Sequence, residues 1–276
     1  MVRLFASVLI YGLLFLQVGC AELSSRGLIA TEDNPAKASN LYQQGMAYTQ
    51  GVEVEQSYAK GVSLFKQSTH YGSADGAYMV GMSYLTGRGV QQQYSEAARW
   101  LELAAKKEHM RAQYQLSRLY MNGRGVEEDK VWAAFLANKA ADRGHPKAAF
   151  DVGVGYAKGL GVPADNAAAW YWFNQAARYR VEHADALRKK MRSRTSPQQR
   201  TAVISRMQPR TGARVDRATA QYIQQQLKQL GYLKGTVDGL WGRQSQAAFS
   251  RYTQQELLLT NLEINWNTLQ LLRDAQ

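Results

Sequence analysis

The chain has 276 residues, room for two domains and a sizeable core. Its 34 lysines and arginines outweigh 22 acidic residues, a net charge of +12, and its single cysteine, Cys20, excludes an intrachain disulfide.

Residues 1–19 read as a targeting segment rather than part of the fold. Arg3 supplies a basic start, and Leu4 to Leu16 is mostly apolar but too short for an ordinary bilayer span. The stretch Gln17-Val18-Gly19-Cys20 resembles a bacterial lipobox, with small Gly19 before the cysteine and Gln17 where leucine is usual. The resemblance implies cleavage before Cys20 and acylation of its thiol and amine. With Ala21 rather than aspartate next, it also implies sorting to the periplasmic face of the outer membrane. Several acyl chains anchor a protein stably where one is marginal. The alternative is an ordinary secretory signal that leaves a free N-terminal cysteine. Residues 20–38 contain Ser24, Ser25, Gly27, Asn34 and Pro35 with little periodicity, and read as a flexible spacer.

From there the sequence repeats at a step of 36 residues. Gly87-Arg-Gly-Val90 returns at Gly123–Val126 and, as Gly-Leu-Gly-Val, at Gly159–Val162. Tyr84, Tyr120 and Tyr156 keep the step, as do Ala97, Ala133 and Ala169 and the pairs Ala104-Ala105, Ala140-Ala141 and Ala176-Ala177. A weaker copy lies upstream, with Gly45, Tyr48, Gly51 and Val54 in register. Such a period marks stacked supersecondary units, each too small to bury its own apolar face.

Each unit reads as two short helices around a glycine turn. The first runs from about Ala77 to Thr86 and stops at Gly87. The second carries Ala97, Trp100, Leu101 and Ala104, a single apolar stripe. Asp165 and Asp129 stand where N-caps belong, whereas Gln93 predicts a weaker cap. Gly81, Ser117 and Gly153 share one position where helices must approach closely, and Trp100 and Trp172, with Leu136 between them, fill space between units.

The pattern A-x-x-x-G-x-x-Y-x-x-G-x-G-V followed by A-x-x-W-x-x-x-A-A resembles the Sel-one-like repeat family, relatives of the tetratricopeptide repeat, over about Leu41 to Ala184. The resemblance implies an α-solenoid whose concave face binds protein partners, and no catalysis. Arg188, Lys189, Lys190, Arg192 and Arg194 then crowd one helical segment, and Ser196-Pro197-Gln198-Gln199 provides an N-cap, a first-turn proline and a capping-box glutamine. These two helices are expected to close the array, giving a repeat region of 39–208. Their charge suits either an anionic surface nearby or a plain solvated face. Residues 209–214 read as a linker.

The last module, 215–276, begins with an amphipathic helix through Ala218, Tyr222, Ile223, Leu227 and Leu230 that ends at Gly231. Asp238-Gly239 fits a hairpin turn, but Ser245, Ala248, Phe249 and Tyr252 behind it keep helical spacing. A third helix starts near Asn265 and buries Trp266, Leu269 and Leu272. The run L-x-x-L-G-Y-x-x-G-x-V-D-G-x-W-G with S-x-x-A-F-x-x-Y behind it resembles the peptidoglycan-binding domain found beside cell-wall hydrolases. Tyr252-Thr253 replaces the usual Phe-Gln, and the glycine turn expected between Leu257 and Asn265 is missing. The resemblance implies a shallow wall-binding groove around Tyr232, Asp238, Trp241 and Arg243, with aromatic faces for sugar or peptide stems. A packing role for Tyr232 and Trp241, with Asp238 satisfying turn amides, is the competing assignment. Arg243 is the stronger candidate for ligand contact.

The fold class expected is all-α, a solenoid of helix-turn-helix repeats followed by a small three-helix domain. His109 and His145 lie one repeat apart, as turn residues do, and with no H-E-x-x-H and no cysteine ligand set neither metal nor cofactor is expected. The G-x-G turns lack a P-loop's Lys-Ser/Thr. No nucleophile triad has a local signature, so an enzyme is not expected. The chain reads as a non-catalytic, lipid-anchored envelope scaffold. Its expected partners are proteins on the repeats, peptidoglycan on the last module and the membrane through its acyl chains, with no nucleic acid. The alternatives are an assembly factor for an exopolysaccharide or secretion complex, and a cell-wall hydrolase or its activator.

Overall fold

The computed structural model describes residues 33–207, 215–257 and 263–275. The acylation site expected at Cys20 and the linker expected at 209–214 lie outside the described residues. Thirteen helices are described, with no strand among the described residues. They form two compact units, divided between His109 and Met110.

The first unit contains α1 (Pro35–Gln50), α2 (Tyr58–His70), α3 (Ala74–Thr86) and α4 (Tyr94–Lys106). Each consecutive pair packs as a helical hairpin. Close approach is possible because glycine leaves a notch: a Cβ on Gly45 would lie 2.6 Å from the Phe65 ring, and one on Gly81 would lie 2.8 Å from Leu101. Gly87 ends α3 in the left-handed conformation at φ 72°, and its amide donates to the Ser83 carbonyl. α3 starts three residues earlier than the periodicity suggests, because Ser73 caps it by accepting from the Gly76 amide at 2.9 Å. Gln93 makes no side-chain cap bond, as its chemistry foretells.

The second unit begins with α5 (Met110–Met121), α6 (Lys130–Asp142), α7 (Pro146–Lys158) and α8 (Asn166–Arg178). Asp129 accepts from the Trp132 amide at 2.8 Å, and Asp165 from the Ala167 and Ala168 amides at 2.9 and 3.0 Å, so both serve as the expected N-caps. Desolvation raises the Asp165 carboxyl, but the Ala168 amide and the Arg206 guanidinium outweigh it and hold the group below the usual carboxylate range. α9 (Ala184–Ser193) and α10 (Pro197–Met207) pack on α8, burying Ala184, Met191, Val203 and Met207 in one core with Phe173 and Trp172. Ser196 and Gln199 exchange the two bonds of a capping box, at 2.8 and 3.2 Å. Lys189, Lys190 and Arg192 stay exposed on α9.

The chain ends in α11 (Arg217–Gln229), α12 (Arg243–Gln255) and α13 (Trp266–Asp274). Gly231, at φ 82°, follows α11, and Asn265 caps α13 by accepting from the Thr268 amide at 3.1 Å. Ile223, Leu227, Ala248, Phe249, Tyr252, Leu269 and Leu272 are buried across these three helices, and Leu233 is buried in the loop after α11.

Candidate functional site

The wall-binding residues expected in the last module occupy different surroundings. Gln224, buried on α11, organises the loop ahead of α12. Its Nε2 donates to Asp238 Oδ1 at 2.8 Å and to the Leu240 carbonyl at 3.0 Å, and its Oε1 accepts from the Asp238 and Gly239 amides. Asp238 also accepts from the Leu240 amide at 2.9 Å, so its carboxylate is engaged within the turn. Gly239, at φ 74°, has to be glycine for a second reason: a Cβ there would lie 2.9 Å from Arg217 Cγ. Trp241 packs edge-on against Phe249 at 5.8 Å, and Arg243 opens α12 with its side chain exposed.

Tyr232 is placed differently. It sits edge-on to Tyr252 at 5.5 Å, and its hydroxyl donates to Glu256, a bond that holds the phenol above its ordinary pKa. Beside it opens a groove of about 740 Å³ lined by Leu233, Lys234, Gln244, Ala247 and Arg251. Arg251 donates to the Tyr232 carbonyl at 2.9 Å, which fixes the guanidinium at the groove wall. Asp238, Trp241 and Arg243 do not line this groove; Asp238 faces another, shared with Arg206, Arg217 and Tyr156. The Tyr232 ring, the Lys234 and Arg251 cations and the Gln244 amide thus share the lining of one groove. Gln244, Arg251 and Glu256 escaped sequence reasoning because nothing local marks them.

A second surface was also hidden from the sequence: the module folds back on the repeats of its own unit. Arg217 donates through Nη2 to both Asp142 oxygens, at 2.8 and 3.0 Å, and to Asn138 at 2.9 Å. Lys139 pairs with Asp216 at 3.1 Å, and the Tyr156 hydroxyl donates to Gln221 at 2.8 Å. Tyr222 lies 4.9 Å from Phe135 and 5.2 Å from Trp132, while Trp266 meets Trp132 edge-on at 5.2 Å. Arg273 donates to the Tyr120 hydroxyl at 3.1 Å and lies over Trp132. Burial pushes the Asp142 carboxyl up, with the Arg217 charge the chief opposing influence. In this position α11 buries Thr219, Gln221, Gln224 and Gln226 as well as its apolar stripe.

His109 and His145 act in the repeats. His109 stacks on Tyr78 at 4.6 Å with Nε2 3.1 Å from Asp75. His145 lies tilted against Tyr114, ring centres 4.4 Å apart, and caps α7, its Nδ1 accepting from the Ala148 amide at 3.1 Å. Burial, with Arg111 and Lys147 nearby, lowers the His145 pKa and favours the neutral ring that this cap requires. Among the described residues no group of three or more His, Cys, Asp or Glu side chains is placed to hold a metal, and no helix is long and apolar enough to cross a membrane.

Paired helices with glycine notches and recurring caps define an array of helix-turn-helix repeats. Residues 41–69, 74–109, 111–145 and 146–178 match the Sel1 repeat model, so the repeated segment consists of four Sel1-like repeats. Repeats of this kind generally mediate protein–protein contacts. The fold is similar to that of a Sel1 repeat protein from Oxalobacter formigenes, with 23% identity over 65% of this chain and 73% of that one and a TM-score of 0.53. It is also similar to that of a protective antigen present in uropathogenic Escherichia coli strains that displays an SLR fold, with 22% identity and a TM-score of 0.55. That match covers 87% of this chain but only 54% of the antigen. No curated protein matches the sequence.

Proposed function

We propose that the protein is a non-catalytic, lipid-anchored scaffold of the bacterial outer membrane, facing the periplasm. Its repeats dock partner proteins and its last module grips peptidoglycan. The observation that carries the wall-binding part is the Tyr232 groove, where an aromatic ring, Lys234 and Arg251 surround a cleft open to solvent. The lipobox-like stretch ending at Cys20 supports the anchor. Attachment at two places on one chain raises the effective concentration of the second, so a weak grip on the wall suffices to localise the protein.

Substitution is a better test than truncation, because removing residues 215–276 also strips cover from Trp132 and Phe135. Purified sacculi should retain the full-length protein, and Tyr232→Ala combined with Arg251→Ala should weaken retention about tenfold, the loss of one or two good contacts. Equal retention removes the wall-binding claim. A second reading, an assembly factor for an exopolysaccharide or secretion complex, draws support from the fold-back. There the last module serves as a protein contact, and sacculi retain neither form.

A further inference from the structure

In three of the four repeats, the second helix sends a large apolar side chain into a glycine notch on the first. Phe65 meets Gly45, Leu101 meets Gly81 and Phe173 meets Gly153, each so closely that a Cβ on the glycine would lie within 2.6 to 2.8 Å of it. These residues recur at 36-residue steps, and in the third repeat the same two places hold Ser117 and Ala137. Both residues there are small. With Ala137 opposite Ser117, the side-chain volume supplied by the second helix elsewhere is missing, and a cavity of about 200 Å³ lies there, bounded by α5, α6 and α7.

The polar side chains around the inner part of this cavity are already engaged. Ser117 donates to the Tyr114 carbonyl at 2.7 Å; Asn138 donates to the Ala134 carbonyl at 2.8 Å and accepts from Arg217 at 2.9 Å. Much of the remaining lining is apolar, Ala137, Val152 and Leu160 among it, and gives water few of the two to four partners it needs. Arg118, Asn122 and Asp151, all exposed, line its outer edge. No residue of α11, α12 or α13 lines it, so the fold-back leaves it uncovered.

We propose that this cavity is a socket for one leucine or phenylalanine side chain of a partner protein, the group the chain itself supplies at the equivalent place in its other repeats. The amide and the charges of both signs at the outer edge suit the backbone on either side of an inserted residue. The proposal rests on the reading of the repeats as a partner-docking array, and it names the place and the chemistry.

Peptides selected from a random displayed library on the immobilised full-length protein should carry Leu or Phe at one fixed position. They should bind Ala137→Phe at least tenfold more weakly. Toluene titrated into the wild-type protein should raise its melting temperature saturably, since a cavity of ~150 Å³ already admits benzene, and should leave Ala137→Phe unmoved. Ala137→Leu replaces that variant if circular dichroism shows the phenylalanine form unfolded. No toluene shift in the wild type overturns the proposal, and so does a shift with no peptide selected. Peptides that bind both forms equally overturn the socket while leaving the partner-docking reading intact, and sacculus retention is untouched by either result.

Discussion

Arg217→Met is the sharpest probe of the fold-back. The substitution removes a guanidinium that bonds both oxygens of Asp142, Asn138 and Gln221 while lying 5.3 Å from the centre of the Trp172 ring. Only 11% of the arginine side chain is exposed, against 29% of the aspartate side chain. Removing one partner of a buried pair costs ~3–5 kcal/mol, chiefly because the other charge is left stranded. Asp142 keeps some access to water, which places the expected loss at the lower end, ~3 kcal/mol. Replacing both members, with Arg217→Met and Asp142→Leu together, strands no charge and should cost no more than ~1 kcal/mol. The assay is native-state amide exchange along α6 and α11, which reports on this unit alone. Faster exchange in the single variant and recovery in the double variant is the expected result. A single variant that exchanges like wild type, or a double variant with the summed cost of two singles, would refute the claim that the pair holds the module in place.

Three further outcomes follow from the packing. Ala137→Leu adds three carbons to the third-repeat cavity, a gain capped at about 2.4 kcal/mol at ~0.8 kcal/mol per buried methylene, but the Ser117 Cβ stands where Gly81 makes room for Leu101, and overpacking of ~1–3 kcal/mol should offset it, leaving a urea midpoint close to that of the wild type. Gly153→Ala should destabilise, because its Cβ would lie 2.8 Å from the Phe173 ring and overpacking of ~1–3 kcal/mol outweighs the ~1 kcal/mol gained in helix propensity; a higher midpoint would contradict the notch. His145 has a lowered pKa when folded, so its contribution is present above the ordinary histidine value and is lost as pH falls through the folded one. His145→Asn keeps a capping acceptor without that titration, and its stability should fall less between about pH 6.5 and 5 in urea titrations; parallel curves would show that the imidazole does not matter.

Local chemistry was legible in the sequence wherever a residue acts on neighbours three or four positions away. The caps at Asp129, Asp165 and Asn265 and the capping box at Ser196 are of this kind, and the 36-residue register exposed the array itself. The start of α3 was obscured because Gly76 sits inside its first turn and disguises the Ser73 cap. The fold-back was not legible, because Arg217 and Asp142 are 75 positions apart and Tyr222 looks like any member of an apolar stripe, whichever neighbour it touches. Around the candidate groove, Tyr232 could be singled out, but Arg251 and Gln244 come from the exposed side of α12, where sequence patterns carry little information.

The contact between α11 and α6 also has a mechanical consequence. Any pull that arrives at the Tyr232 groove passes along α11 into Arg217 and the aromatic ledge formed by Trp132 and Phe135, and from there into the third and fourth repeats. Such a load would be shared between an ion pair and rings that meet edge-on or tilted, so no single contact would carry it alone.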